Sequence, residues 1–414
     1  MPKLLLELPK QIKCWHSISG QFAQLTTGLL FCAMVGSVYA NSADANQLDI
    51  NILYLNKPIK AISGLTNSLR APASQGLDGV ALGIADSNTT GRFLGHNYTS
   101  EIFSNPSSES IITHANEWLQ KPGNSLIVAN LTKQDLLAIS NLESVNGDPI
   151  VINIRSMDDS LRVNDCKPRL LHTIPSRSML TDALLQFTNY KRWNNILLVQ
   201  GQGPNDQLYS QSLHRSIKRF GGKVVAEKTW SFDTDLRRAA QKEIPAFTQT
   251  KDYDIIFVAD EVGYFGNYLL YNSWLPRPVA GTQGLRPKGW QHLVEQWGAL
   301  QLQNRFRDHA KRWMNDIDYA GWTAVRAFTE AVTRTQSINP KTLYQYLLSS
   351  EFELAAFKGS KLSFRNWNGQ LRQPIPLVHA NGLVSQSPQE GYLHPVSALD
   401  TLGYDSAEVD CEFE

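Results

Sequence analysis

The chain has 414 residues, with 39 Lys and Arg against 38 Asp and Glu and a formal charge of +1. That balance excludes a strongly basic face of the kind nucleic-acid binding requires. Past the first forty residues no apolar run approaches the roughly 18 residues of a spanning helix, so that part is expected to stand outside a membrane.

The first forty residues read as an address. Lys3, Lys10 and Lys13 precede an apolar stretch from Leu25 to Val38, and Val38-Tyr39-Ala40 fits a small-residue cleavage site. This predicts a signal peptide over residues 1–40, removed near Ala40; the alternative is an uncleaved anchor. The remaining length exceeds one typical core and predicts two lobes. Cys14 and Cys32 leave with the signal, while Cys166 and Cys411 remain. In an oxidising compartment these two form a disulfide or stay as two thiols. No CxxC, HExxH or zinc-spaced cluster occurs, so no metal site is expected.

In chain order, Ile50 to Leu55 is strand-like. Gly76 to Asp86 has helical spacing, Asn88 to Gly95 reads as a turn, and Tyr98 to Phe103 reads as a strand. This is a strand-helix-strand unit of a parallel sheet. Helix Ser110–Gln120, strand Ser125–Ala129, helix Thr132–Ile139 and strand Pro149–Asn153 continue the alternation. A polar stretch with Asp158, Asp159, Arg162 and Asp165 reads as the first crossing between lobes. A second series follows: helix Met179–Tyr190, strand Ile196–Val199, helix Asp206–Phe220 closed by Gly221-Gly222, strand Lys223–Trp230, helix Asp235–Phe247 and strand Asp254–Val258. An aromatic-rich helix near Tyr264 to Leu270 follows, and the set Tyr264, Phe265, Tyr268, Tyr271 and Trp274 is assigned to core packing, with one or two facing the cleft as the alternative. Pro278–Gly281 reads as a strand, and Leu293–Trp313, Ala320–Thr335 and Pro340–Ser349 as helices. Lys361–Phe364 and Pro376–His379 read as strands of a hairpin turning at Asn368-Gly369. The tail from Ser385 is expected to be irregular and to pack across the surface.

Gly201-Gln202-Gly203-Pro204-Asn205-Asp206 sits between a strand and a helix, the setting of a dinucleotide fingerprint. Asp206 in place of the third glycine would repel a pyrophosphate, and Pro204 removes a donor. It reads as a tight turn. No G-x-S-x-G or paired nucleophile and base occurs, so no catalytic residue, cofactor or enzymatic activity is assigned.

The opening block Gly76–Phe103, the helix Asp318–Ala327 and the hairpin Phe364–Gln370 resemble the type I periplasmic binding proteins of ABC importers, the branch that includes branched-chain amino acid binders. The long blocks Asn88–Gly95, His172–Leu180, Val258–Glu261, Pro276–Gly281, Glu295–Phe306, Phe352–Gly359, Leu371–Pro374, Ser387–Tyr392 and Asp400–Asp405 resemble more closely the subfamily associated with PQQ-dependent alcohol dehydrogenase systems. The resemblance implies an α/β fold of two Rossmann-like lobes with a hinge and a ligand cleft between them. It implies a periplasmic location, a small-molecule ligand, and an ABC permease with its ATPase as partners. A link to a PQQ-dependent dehydrogenase or its cytochrome is also implied. The lobes expected are 48–172 plus about 285–336, and 173–284 plus about 337–384, followed by a tail over 385–414.

Ligands of open α/β sheets sit beyond the carboxyl ends of the strands. There the sequence offers Asn56, Asn130, Thr132, Asn153, Arg155, Ser156, Gln200, Asp260 and Glu261. The family's Gly-x-x-Ser loop is replaced by Ala129-Asn130-Leu131-Thr132, where Thr132 can donate or cap its helix. Arg155 pairs a ligand carboxylate in one reading, and Asp158 or Asp159 in the other. Asp260 and Glu261 meet a ligand ammonium, or cap the next helix. Lys57, beside Asn56, reads as a solvated loop charge.

Overall fold

The computed structural model describes residues 47–59, 71–231, 235–411 and 413. The signal-peptide reading falls on residues 1–40, outside them.

Two runs of buried, β-branched-rich strands organise the chain. In the first, β1 (Leu48–Asn56), β2 (His96–Ser104), β3 (Leu126–Asn130), β4 (Ile150–Asn153) and β5 (Leu170–His172) form a parallel sheet in the order β2-β1-β3-β4-β5. Successive side chains point to opposite faces, and both faces are covered. Ile50, Ile52 and Tyr54 pack with helices α1 (Leu77–Leu94) and α9 (Asp316–Thr335). Leu53 and Leu55 pack against α2 (Ser108–Leu119) and α3 (Lys133–Ile139). In the second run, β6 (Asn195–Gln200), β7 (Lys223–Thr229), β8 (Ile255–Ala259) and β9 (Val279–Gly281) form a parallel sheet in the order β7-β6-β8-β9. Helices α4 (Arg177–Tyr190) and α5 (Pro204–Phe220) cover one face; α6 (Leu236–Thr248) and α7 (Gly266–Asn272) cover the other.

The predicted turn over Asn88–Gly95 is helix. α1 continues to Leu94 and ends at left-handed Gly95. Asn88 turns its side chain to the Tyr98 backbone, accepting its N–H at 2.9 Å and donating to its carbonyl at 2.8 Å. Gly91 packs where a Cβ would lie 2.7 Å from the His96 carbonyl oxygen. Turn-type residues are therefore held in a helix by tertiary contacts. The predicted helix over Leu293–Trp313 begins later, as α8 (Ala299–Ala310), because Trp297 and Gly298 are left-handed and break its first turns.

The polar stretch around Asp158 does not leave the first lobe. It forms a short 3₁₀ turn, Asp159–Arg162, and the chain returns to the first sheet as β5. Thr173–Ser176 makes the crossing instead. The expected second-lobe assignment from about 337 onward fails at α10 (Pro340–Leu348), β11 (Leu354–Ala355), β12 (Lys361–Phe364) and β13 (Leu371–Arg372). Their Leu343, Leu347, Phe352, Leu362 and Leu371 lie in one core with Phe328 and Val332 of α9. The turn at Asn368-Gly369 joins β12 to β13, and not to β14 (Ile375–His379). β14 pairs instead with β10 (Arg286–Pro287) and with β15 (Gly382–Ser387), so the tail starts as a strand.

The rest of the tail runs over the surface except at Leu399–Gly403, which is buried. Leu402 and Asp400 are fully buried, and Asp400 accepts from Nε of Arg365 at 2.8 Å and of Arg372 at 2.9 Å. Arg365 is itself 1 % exposed. A buried ion set of this kind is held by mutual compensation. Buried Asp182 accepts the Gly403 N–H at 2.7 Å and pairs with Arg215 and Arg219. Cys166 and Cys411 form a disulfide with a Cα–Cα distance of 5.8 Å.

Candidate functional site

The chain passes between the two sheets at Thr173–Ser176, near Arg286–Trp290 and at Gln373-Pro374, and these passages are bonded together. Gln373 Nε2 donates to the Thr173 carbonyl at 2.8 Å, and Lys288 N–H to the Pro376 carbonyl at 3.0 Å. Lys358, 3 % exposed, donates to Gln373 Oε1 at 2.6 Å and to the Pro374 carbonyl at 3.1 Å. Burial pushes its pKa down to about 7, against the upward pull of the Asp316 carboxylate.

Beside these passages, at the carboxyl ends of β8 and β9, lies a cavity of about 200 Å³. Met157, Ile174, Pro175, Leu180 and Pro287 supply its apolar walls; Tyr209, Glu261, Thr282, Gln283, Arg286, Lys288 and Asp316 supply polar groups. Asp316 belongs to α9 of the first lobe, while Glu261 follows β8 of the second. The cavity therefore lies between elements of both sheets.

Its far wall is built by glycine. At Gly281, φ is +119°, and a Cβ would stand 2.2 Å from the Val258 carbonyl oxygen. Only glycine lets the β9 end lie this close to β8. Thr282 then accepts the Asp260 N–H at 2.9 Å, and Gln283 Nε2 donates to the Asp260 carbonyl at 2.8 Å.

The two acidic candidates have separate roles. Asp260 is fully buried and accepts four backbone N–H groups, from Gly263, Tyr264, Phe265 and Gly266, at 2.8–3.0 Å. It accepts the N–H groups that open α7, which is the capping alternative. Glu261 takes a two-pronged ion pair from Arg177, with Nε–Oε1 at 2.6 Å and Nη2–Oε2 at 2.9 Å. Asp316 accepts Lys288 Nζ and the Trp290 N–H, at 3.0 and 2.8 Å. Asp206 accepts the N–H groups of Gly203 (3.2 Å) and Glu261 (2.7 Å).

The other sequence-predicted residues do not line this cavity. Asn56 donates to Ser104 Oγ at 2.9 Å, and Gln200 to Thr229 Oγ1 at 3.3 Å. Thr132 caps α3. Asn153 is buried and accepts the N–H groups of Arg155 and Ser156 while bonding His172. Ser156 also gives its carbonyl to Asn153 Nδ2 and to Arg162. Arg155 bonds neither Asp158 nor Asp159; its Nη1 donates to the Lys57 carbonyl at 2.7 Å. Lys57 is no free loop charge, since its Nζ bonds Asp135 and Ser108 at 2.9 and 2.6 Å. Asn130 donates to Tyr54 Oη and the Gln75 carbonyl, both at 3.0 Å, and its own Oδ1 is buried without a partner. Of the aromatic set assigned to the core, Phe265 is buried, but Tyr271 is 88 % and Trp274 52 % exposed.

Sequence reasoning missed Tyr209, Thr282, Gln283, Arg286, Lys288 and Asp316. Tyr209 sits in the apolar stripe of α5 with Leu213 and Ile217 and carries no separate signal. Thr282-Gln283 between Gly281 and Gly284, just after a strand, was the usable one. Among the described residues no His, Cys, Asp and Glu cluster is arranged to hold a metal ion, and no helix is long and apolar enough to cross a membrane.

The architecture matches solved structures over most of the chain. It is similar to an ABC transporter substrate-binding protein from Sphaerobacter thermophilus at 15 % identity and a TM-score of 0.66, covering 82 % of this chain and 97 % of that one. It is similar to a branched chain amino acid ABC transporter periplasmic ligand-binding protein from Burkholderia xenovorans LB400, at 15 % identity, TM-score 0.64 and coverages of 81 % and 95 %. It is also similar to a solute binding protein from R. palustris in complex with benzoate, at 12 % identity, TM-score 0.58 and coverages of 82 % and 95 %. No family model and no curated protein sequence matches. The fold is the two-lobed type I periplasmic binding protein fold.

Proposed function

We propose that this chain is the exported solute-binding component of an ABC-type importer, working in the periplasm with a permease and its ATPase. It takes a small polar or carboxylate-bearing molecule between its lobes. The observation that carries this reading is the cavity at the β8 and β9 ends, closed by Asp316 from the first lobe. Its position obeys the rule for ligands of open α/β sheets. The structural neighbours named for amino acids and for benzoate give the same direction. The long sequence blocks add the proposed link to PQQ-dependent alcohol oxidation. In this reading the first lobe extends from 48 to 172 and resumes with α8, α9 and the α10 to β13 segment, and the second begins at 173.

A second reading is an accessory protein that docks a quinoprotein dehydrogenase or its cytochrome without transport. It is favoured by the first-lobe strand ends, where Thr132, Asn153 and Ser156 are all engaged in internal bonds.

The test is thermal unfolding against a broad panel of amino acids, organic acids, alcohols and PQQ. A ligand at a hundred times its Kd stabilises the fold by about 2.7 kcal/mol. A flat response to the whole panel overturns solute binding. Purification from periplasm then separates the readings: retention on the dehydrogenase with none on the permease favours the accessory role.

A further inference from the structure

The cavity's polar groups fall into two sets, those with partners and those without. The acids all have partners: Asp260 on four N–H groups, Glu261 on Arg177, and Asp316 on Lys288 and Trp290 N–H. Two groups do not. The hydroxyl of Tyr209, a residue 3 % exposed, is buried with no hydrogen-bond partner among the described residues. Arg286, half-buried in the cavity wall, has no ion-pair or hydrogen-bond partner for its side chain among the described residues.

A buried hydroxyl without a partner is costly, and a native fold leaves one open chiefly where something else satisfies it. Burial, with Glu261 nearby, holds the Tyr209 pKa well above its ordinary value, so the group stays an O–H donor. A guanidinium is a permanent, two-pronged donor matched to a carboxylate. One donor and one uncompensated cation facing apolar walls describe a receptor for an oxyanion on an apolar body. An ammonium finds no open carboxylate there. Recruiting Glu261 or Asp316 would break a charged hydrogen bond and weaken binding about tenfold or more.

We infer that the cavity binds a small organic monocarboxylate lacking an α-ammonium group, with Arg286 and Tyr209 holding the carboxylate and Met157, Ile174 and Leu180 facing the apolar body. This rests on the solute-binding reading and narrows it. It separates the chain from amino-acid receptors with the same fold.

Calorimetric titration of the full chain with matched probes tests it: isocaproate, leucine and isohexanol, then phenylacetate, phenylglycine and phenylethanol. Each acid is expected to bind at least about tenfold more tightly than its amino acid or its alcohol. Arg286→Gln and Tyr209→Phe are each expected to weaken acid binding about tenfold or more, and Arg286→Lys to weaken it less. Leucine or phenylglycine binding as tightly as its deaminated partner overturns the inference and leaves solute binding standing. So does unchanged acid affinity in both Arg286→Gln and Tyr209→Phe. No heat with any of the six probes overturns the inference; the broad thermal panel then decides solute binding separately.

Discussion

Arg177 and Glu261 join the first passage between the lobes to the end of β8: the guanidinium at the start of α4 holds both carboxylate oxygens at 2.6 and 2.9 Å. Their side chains are 6 % and 12 % exposed. Removing one partner leaves the other buried and uncompensated. Glu261→Gln and Arg177→Met are each expected to lower unfolding free energy by about 3–5 kcal/mol. Urea denaturation measures this, and the double variant should recover part of the loss. Single losses below about 1 kcal/mol would show that solvent already screens the pair.

Asp400 makes the tail part of the core. Asp400→Ala leaves Arg365 and Arg372 without their shared carboxylate, and about 3–5 kcal/mol of stability should disappear. Ending the chain before Ala398 should be at least as damaging, read as loss of a cooperative melt. A tail lying loosely on the surface would leave both melts unchanged.

Lys358 gives a pH dependence whose sign is fixed. Its folded pKa, about 7, lies below the ordinary lysine value of 10.5 that the unfolded chain keeps. Between these values the unfolded chain binds the extra proton, so stability rises with pH, by at most about 1.4 kcal/mol per unit. Below pH 7 both states are protonated and the folded state carries the full penalty of a buried charge. Lys358→Met should flatten stability between pH 7 and 9 and raise it near neutrality. Equal slopes in variant and parent would place the proton elsewhere.

The Cys166–Cys411 bond spans a sequence separation of 245 residues. Replacing both cysteines by serine is expected to cost about 2–5 kcal/mol, since the crosslink restricts the unfolded chain. Melting with and without a reductant gives the same comparison on the parent. An unchanged melting temperature would mean the buried tail contacts alone keep the terminus in place.

The strands were legible because β3, β6 and β8 carry continuous apolar runs and β1 carries one from Ile52 to Leu55, as a sheet covered on both faces requires. The cysteine pairing was one of two outcomes that a count of two left open, and the structure shows the bonded one. Asn88–Gly95 was not legible, because its turn residues are overruled by the packing of Gly91 on β2, a contact no local pattern carries. α10 to β13 went to the wrong lobe for a related reason: chain order does not state which core a late helix joins. At the site, sequence located the β8 end but not its chemistry. Asp260 and Glu261 look alike as neighbours, yet one receives four N–H groups and the other a guanidinium. Arg286 and Tyr209 come from a short strand and a core helix, and only the fold brings them to one cavity.

The disulfide also changes the chain's topology. Cys166 precedes β5, and Cys411 lies beyond every strand of the second sheet. The second sheet with all its helices, together with β5 and helices α8, α9 and α10 of the first lobe, thus lies within one closed covalent ring. A protease cutting any single bond inside that ring produces no separable fragment until the clasp is reduced. A nicked molecule would travel as one species on a non-reducing gel and as two on a reducing one.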